Sequence, residues 1–88
     1  REETMSDVNR HKQLYWRSRR GMLELELKLI PFLRDDFSTL SEAEQQAYAR
    51  MLEEEDWQLF DWLQQREIPQ DKLIQQVVDK IIANRGRL

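Results

Sequence analysis

An all-α fold, a compact single domain of five helices in a bundle-like arrangement, is what this sequence predicts, and three observations carry the prediction. Only two glycines and two prolines occur in 88 residues, so little chain is left for loops. Apolar residues recur at three- and four-residue spacing in segment after segment. The single segment with strand-like alternation has no second one to pair with, and a lone strand cannot satisfy its backbone. A chain this short makes one domain with a modest core. The domain is expected over residues 6–85, with residues 1–5 a flexible or extraneous leader around a natural start at Met5.

The first helix is expected from Asp7 to Arg19, capped by Ser6 or Asp7, with Val8, Leu14 and Tyr15 on one stripe and Trp16 at its edge. Gly21 follows, where a helix joint calls for positive φ. Residues 22–33 are the ambiguous stretch. Leu23, Leu25, Leu27 and Leu29 alternate with charged residues, yet residues 22–29 contain neither β-branched nor aromatic side chains and are good helix formers. As a helix they carry two apolar stripes, Leu23/Leu27/Ile30 and Met22/Leu25/Leu29/Phe32, which predicts a central element touched on more than one side. Pro31 predicts a kink or break near 27–31.

Ser41 and Glu44 form a capping box that opens the third helix, with Ala43, Ala47, Tyr48, Met51 and Leu52 as its buried face. Its end runs into Glu53-Glu54-Glu55. Exposed acids there oppose the helix dipole by about 0.3–1 kcal/mol each, a broken local rule that hints at binding. Asp56 is expected to cap a short fourth helix over Trp57–Gln65, with Trp57, Phe60 and Leu63 spaced at i, i+3, i+6 and Trp62 as a second large aromatic. Trp57 and Trp62 point about 140° apart on a helix, so one indole should remain exposed as an interface anchor. Asp71 caps the fifth helix, whose Leu73, Ile74, Val77, Val78, Ile81 and Ile82 make the cleanest amphipathic pattern.

Composition excludes several functions. With no cysteine and His11 as the only histidine, disulfides, thiolate chemistry, a histidine metal site and a redundant Ser–His–Asp triad are ruled out. No apolar run reaches the ~20 residues of a membrane span, and the N-terminal residues lack the features of a signal peptide or transit sequence; the expected location is the bacterial cytoplasm. The net charge of −3 conceals an asymmetry: Arg10, Lys12, Arg17, Arg19 and Arg20 are close together without an acid among them, while residues 35–56 hold eight acids against Arg50. Such a field orients a partner. An acidic protein with one short basic helix is a poor nucleic-acid binder, and no polar constellation suits an enzyme.

The candidate partner-binding residues are Arg19, Arg20, Gly21 and Glu24, a cationic corner at a helix joint with an acid one turn on. For Glu24 the bland alternative is an i, i+4 pair with Arg20. The series Arg10, Leu14-Tyr15, Arg19-Arg20-Gly21-Met22-Leu23-Glu24-Leu25-Glu26, Phe32, Ser41-Glu42, Glu44, Tyr48, Leu52-Glu53, Asp56-Trp57 and Phe60-Asp61-Trp62 resembles the succinate dehydrogenase assembly factors, small flavinylation factors with an Arg-Gly-x-x-Glu signature. The resemblance spans about Val8 to Ile82. It departs at Glu26, where many members carry Asp. It implies a five-helix chaperone that binds the flavoprotein subunit of succinate dehydrogenase, and in bacteria that of fumarate reductase. The factor would promote covalent FAD attachment to that subunit without stably binding a cofactor, and Arg20, Gly21 and Glu24, with Arg19 beside them, would face the flavoprotein. A monomer is expected, with neither nucleic acid nor membrane insertion. The alternative is a regulatory interaction module such as the antitoxin of a toxin–antitoxin pair.

Overall fold

The structure, a computed structural model, describes residues 12–84, and its backbone follows the helical periodicity of the chain. Helix α1 occupies residues 12–18, α2 Leu23–Asp35, α3 Glu42–Met51, α4 Asp56–Leu63 and α5 Lys72–Ala83; a 3-10 turn at Phe37–Thr39 follows α2. No strand occurs among the described residues. The expected cap at Ser6 or Asp7, the leader before it, Val8 and His11 lie outside them.

Local chemistry sets the clearest boundaries. The Glu44 N–H donates to the Ser41 hydroxyl (3.1 Å) and the Ser41 N–H to the Glu44 carboxylate (3.2 Å), the expected capping box. Asp71 accepts from the N–H groups of Leu73 and Ile74 and starts α5 as expected. Helix α4 starts differently. Its N-cap is Glu55, with no side-chain cap, and Asp56 is already helical with its carboxylate turned elsewhere. The helix ends with Gln65 at φ 61°, the Gln65 N–H on the Trp62 carbonyl and the Arg66 N–H on that of Asp61. This is a Schellman stop built on a residue other than glycine.

The core brings Leu25, Leu29, Phe32 and Leu33 of α2 against Ala47, Tyr48 and Met51 of α3, Leu59 of α4 and Val77 and Ile81 of α5. Three expectations need correction. First, the second apolar stripe of α2 is not buried along its length: Leu23 is 61% exposed and Leu27 43%, while Pro31, Phe32 and Leu33 are buried in succession where the helix meets the 3-10 turn, α4 and α5. Second, α2 runs through Pro31 without a break. Pro31 removes the hydrogen bond to the Leu27 carbonyl, but the buried side chains on both flanks hold the helix together. Third, of the expected α4 stripe Leu63 is buried and Phe60 packs partly buried against the core but Trp57 is exposed, with Leu59 and Trp62 completing the inward face, and Ala43 of α3 is exposed. One indole of α4 is therefore buried (Trp62) and the other is 62% exposed (Trp57), as the spacing required.

Tyr48 joins α1 to this core. Its ring stacks on Phe32 (5.9 Å between centroids) and meets Phe37 edge-on (5.4 Å). Its hydroxyl lies 2.7 Å from the buried Ser18 hydroxyl, which is 2.7 Å from the Leu14 carbonyl. Ser18 has one proton, and with that proton on the carbonyl the tyrosine must donate to the serine. Burial pushes the Tyr48 hydroxyl up to about 12, against the opposing pull of Ser18 and the Arg20 and Arg17 charges. An unfolded tyrosine ionises near 10. This contribution is therefore intact below about pH 10 and is lost as pH rises toward 12, amounting to about 2–3 kcal/mol by linkage. The urea midpoint of the wild type is expected to fall between pH 9 and 11.5 by more than that of Tyr48→Phe. Equal falls would refute a buried, protonated Tyr48.

Candidate functional site

Helix α1 closes with the Arg19 N–H on the carbonyls of Tyr15 and Trp16 (3.2 and 3.1 Å), and α2 opens from Met22, whose φ of −109° is extended. The joint turns at Gly21, with φ +79°. That left-handed backbone is strained for any residue with a Cβ, and it meets the sequence expectation. A Cβ built there would touch nothing within 4 Å. The turn thus presents bare backbone to open space, where a partner can come close.

Arg20 does not point out of this corner. Its Nε donates to Asp56 Oδ1 (2.8 Å), Nη1 to the Leu52 carbonyl (2.7 Å) and, more weakly, to that of Arg17 (3.3 Å), and Nη2 to the Glu54 carbonyl (2.6 Å). Its side chain is 15% exposed. Arg17 adds a bond from Nη2 to the Ala49 carbonyl (3.0 Å). The last carbonyls of a helix have no partner within it and carry its negative pole. Two arginines from the end of α1 supply both hydrogen bonds and charge to the last turn of α3 and the loop after it. This compensates the local rule that Glu53–Glu55 break. The helix stops at Met51, and the three acids stand exposed in the following turn.

Arg19 and Glu24 do face outward. The Arg19 Nε donates to Glu26 Oε1 at 3.2 Å, and its Nη1 reaches the Tyr15 hydroxyl at 3.4 Å. The Tyr15 hydrogen bond, followed by the Glu26 charge, raises its already high pKa further, so it is cationic at any physiological pH. Glu24 is exposed on the first turn of α2 and has no hydrogen bond or ion pair to a described residue. The i, i+4 pair with Arg20 does not form, because Arg20 is spent on α3 and α4. Glu26, two residues further on, takes the local role: its Oε2 accepts the Gly21 N–H at 2.7 Å.

The four sequence candidates are therefore split. Arg19, Gly21 and Glu24 share the exposed corner, and Arg20 sits behind it as an internal brace. Leu23 and Leu27 extend the exposed corner along α2. Their signal in the sequence is the second apolar stripe of α2, which by periodicity alone looks the same whether it packs inside or stays exposed for a partner. Trp57 is exposed beside Asp56 and the acid turn. Among the described residues, no group of three or more His, Cys, Asp or Glu could hold a metal ion, and no helix is long and apolar enough to cross a membrane.

Comparison with known proteins gives the family of the chain. The family model described as flavinator of succinate dehydrogenase matches residues 12–85. The FAD assembly factor SdhE of Pseudomonas aeruginosa is 37% identical over 81 residues, covering 88% of this chain and 96% of its own. The SdhE proteins of Yersinia pestis (37% over 81 residues, 92% and 91% covered) and Pseudomonas putida (40% over 80 residues, 91% and 90% covered) are similarly alike. A match over nearly the whole described fold, with the Arg-Gly-x-x-Glu corner inside it, places this chain in the succinate dehydrogenase flavinator family.

Proposed function

We propose that this chain is an assembly factor that docks on the flavoprotein subunit of succinate dehydrogenase and promotes covalent attachment of FAD to it. Family membership and the FAD assembly factors among its relatives support this reading. The observation that carries the docking site is the Gly21 corner: left-handed backbone beside open space, flanked in the chain by the exposed Arg19 cation and by the exposed Glu24 carboxylate, which pairs with none of the described residues. Leu23 and Leu27 add apolar contact next to the charges. A helper of this kind needs no active site. If it binds the attachment-competent conformation of the flavoprotein more tightly than other conformations, it raises that population by its difference in affinity. FAD remains the partner's ligand, and the flavin chemistry is the partner's. The fumarate reductase flavoprotein is a second client in this reading, and the factor works as a monomer in the bacterial cytoplasm.

Flavin fluorescence on the flavoprotein in a denaturing gel tests this in cells lacking the factor. Covalent flavin is expected to be lost in the deletion, restored by wild type, and not restored by Gly21→Arg. The arginine Cβ strains the turn by about 1–2 kcal/mol, a cost that leaves the domain folded, while its side chain blocks the corner. Glu24→Ala is expected to change stability by less than about 0.5 kcal/mol and to weaken binding. Unchanged flavin in the deletion would end the assembly-factor reading; a Glu24→Ala protein that melts early would return Glu24 to a structural role.

A further inference from the structure

The carboxylate of Glu26 serves the corner from both of its oxygens. Oε2 takes the Gly21 N–H at 2.7 Å, and Oε1 takes the Arg19 Nε at 3.2 Å. The side chain is only 14% exposed, against 46% for Arg19. Helix α2 has no side-chain cap at Met22. A capping box sends a carboxylate at the third helical position back to the N-cap N–H. Here the fourth position sends it back to the residue before the N-cap. The negative charge also lies where the positive pole of α2 favours it. Nothing else among the described residues ties the Gly21 N–H, and the other partner of Arg19's side chain is the longer 3.4 Å contact to Tyr15. One carboxylate thus ties both the turn at Gly21 and the Arg19 guanidinium, which it shares with Tyr15, whose ring lies 6.0 Å from the guanidinium carbon.

We infer that Glu26 is a positioning residue for partner docking: it holds the Gly21 backbone and the Arg19 guanidinium in the geometry that the flavoprotein meets, without itself being a contact. This rests on the docking reading above. It separates two duties within the signature region. Glu24 is the acid offered to the partner, and Glu26 is the acid turned inward to shape the corner. A neutral amide at this position has one accepting oxygen in place of two, so it keeps the shorter bond to Gly21 at the expense of the charge-assisted bond to Arg19, which is then left to Tyr15.

The test uses the full chain and the purified flavoprotein subunit, with binding measured by calorimetry and the Gly21 amide followed by nitrogen-15 NMR. Glu26→Ala is expected to stay folded, to weaken binding at least tenfold, and to speed exchange of the Gly21 amide with solvent. Glu26→Gln is expected to keep Gly21 protected and to bind with intermediate affinity. In an Arg19→Ala background, Glu26→Ala should cost at least threefold less than it does alone, because part of its effect runs through Arg19. A general loss of fold would not produce that coupling. Full affinity in folded Glu26→Ala overturns the inference, as does weak binding with an unchanged Gly21 amide, which would make Glu26 a direct contact. Wild type that fails to bind the flavoprotein overturns the docking reading itself, and this inference with it.

Discussion

Arg20→Ala is expected to lower the melting temperature by roughly 10–20 °C. The guanidinium gives the Leu52 and Glu54 carbonyls short bonds and closes on Asp56. A hydrogen bond from a charged group contributes about 1.5–3 kcal/mol when its partner is shielded, as the Leu52 carbonyl partly is and the exposed Glu54 carbonyl is not. The Asp56 carboxylate is 41% exposed, so its ion pair adds little. A total of about 2–3 kcal/mol, at 4–8 °C per kcal/mol in a domain of this size, gives that range. The lysine variant is the sharper measurement. An ammonium on a flexible stem cannot span two carbonyls and a carboxylate as a planar fork does, so Arg20→Lys should lose at least half as much stability as alanine. If Arg20 instead reached a partner's carboxylate, alanine would leave the melting curve unchanged and lysine would retain most function. The experiment is thermal unfolding followed by circular dichroism, run beside the flavin assay. Its consequence is practical: Arg20→Ala, the natural first mutant to choose from the signature, mixes the fold with the interface, whereas Gly21→Arg and Glu24→Ala separate them.

Tyr48→Ala is expected to cost about 3–5 kcal/mol, the range for removing a fully buried aromatic ring. Tyr48 is 0% exposed, lies between Phe32 and Phe37, and carries the bond that docks α1 through Ser18. A domain of this length holds roughly 4–13 kcal/mol in all, so the variant should be marginal at 37 °C. Tyr48→Phe keeps both ring contacts and loses one neutral hydrogen bond, about 1 kcal/mol. Urea unfolding with an unchanged slope is the check. A cost below about 1.5 kcal/mol for alanine would mean the rings around Tyr48 are not a packed unit. The corner would also suffer, because α1 places Arg17, Arg19 and Arg20, and Tyr48 ties α1 to the core through Ser18.

The division between what was legible and what was not follows the range of the forces involved. Ser41 with Glu44, Asp71 before α5, and the positive φ of Gly21 were readable because each depends on a side chain or backbone choice acting within a few residues. The inward face of α5 was readable because Ile74, Val77, Val78 and Ile81 offer only one apolar stripe. Helix α2 offered two, and periodicity alone does not say which of two stripes finds a neighbour. Only the placement of α3, α4 and α5 buried Leu25, Leu29 and Phe32 and left Leu23 and Leu27 outside. Helix α4 was the same problem with Trp57 and Trp62: the spacing required one exposed indole, and packing chose which. The family signature identified the corner, but not the posture of its arginine. Arg20 is long and flexible, and its strongest acceptors lie 32–36 residues away at the end of α3 and the start of α4. By itself, then, the sequence determined five helices, their main caps and the presence of a charged glycine turn, all products of local backbone chemistry. The tertiary structure decided that Arg20 turns inward and Glu26 takes its place at the joint, because the end of a distant helix brings the carbonyls of Leu52 and Glu54 and the Asp56 carboxylate together within reach of one guanidinium.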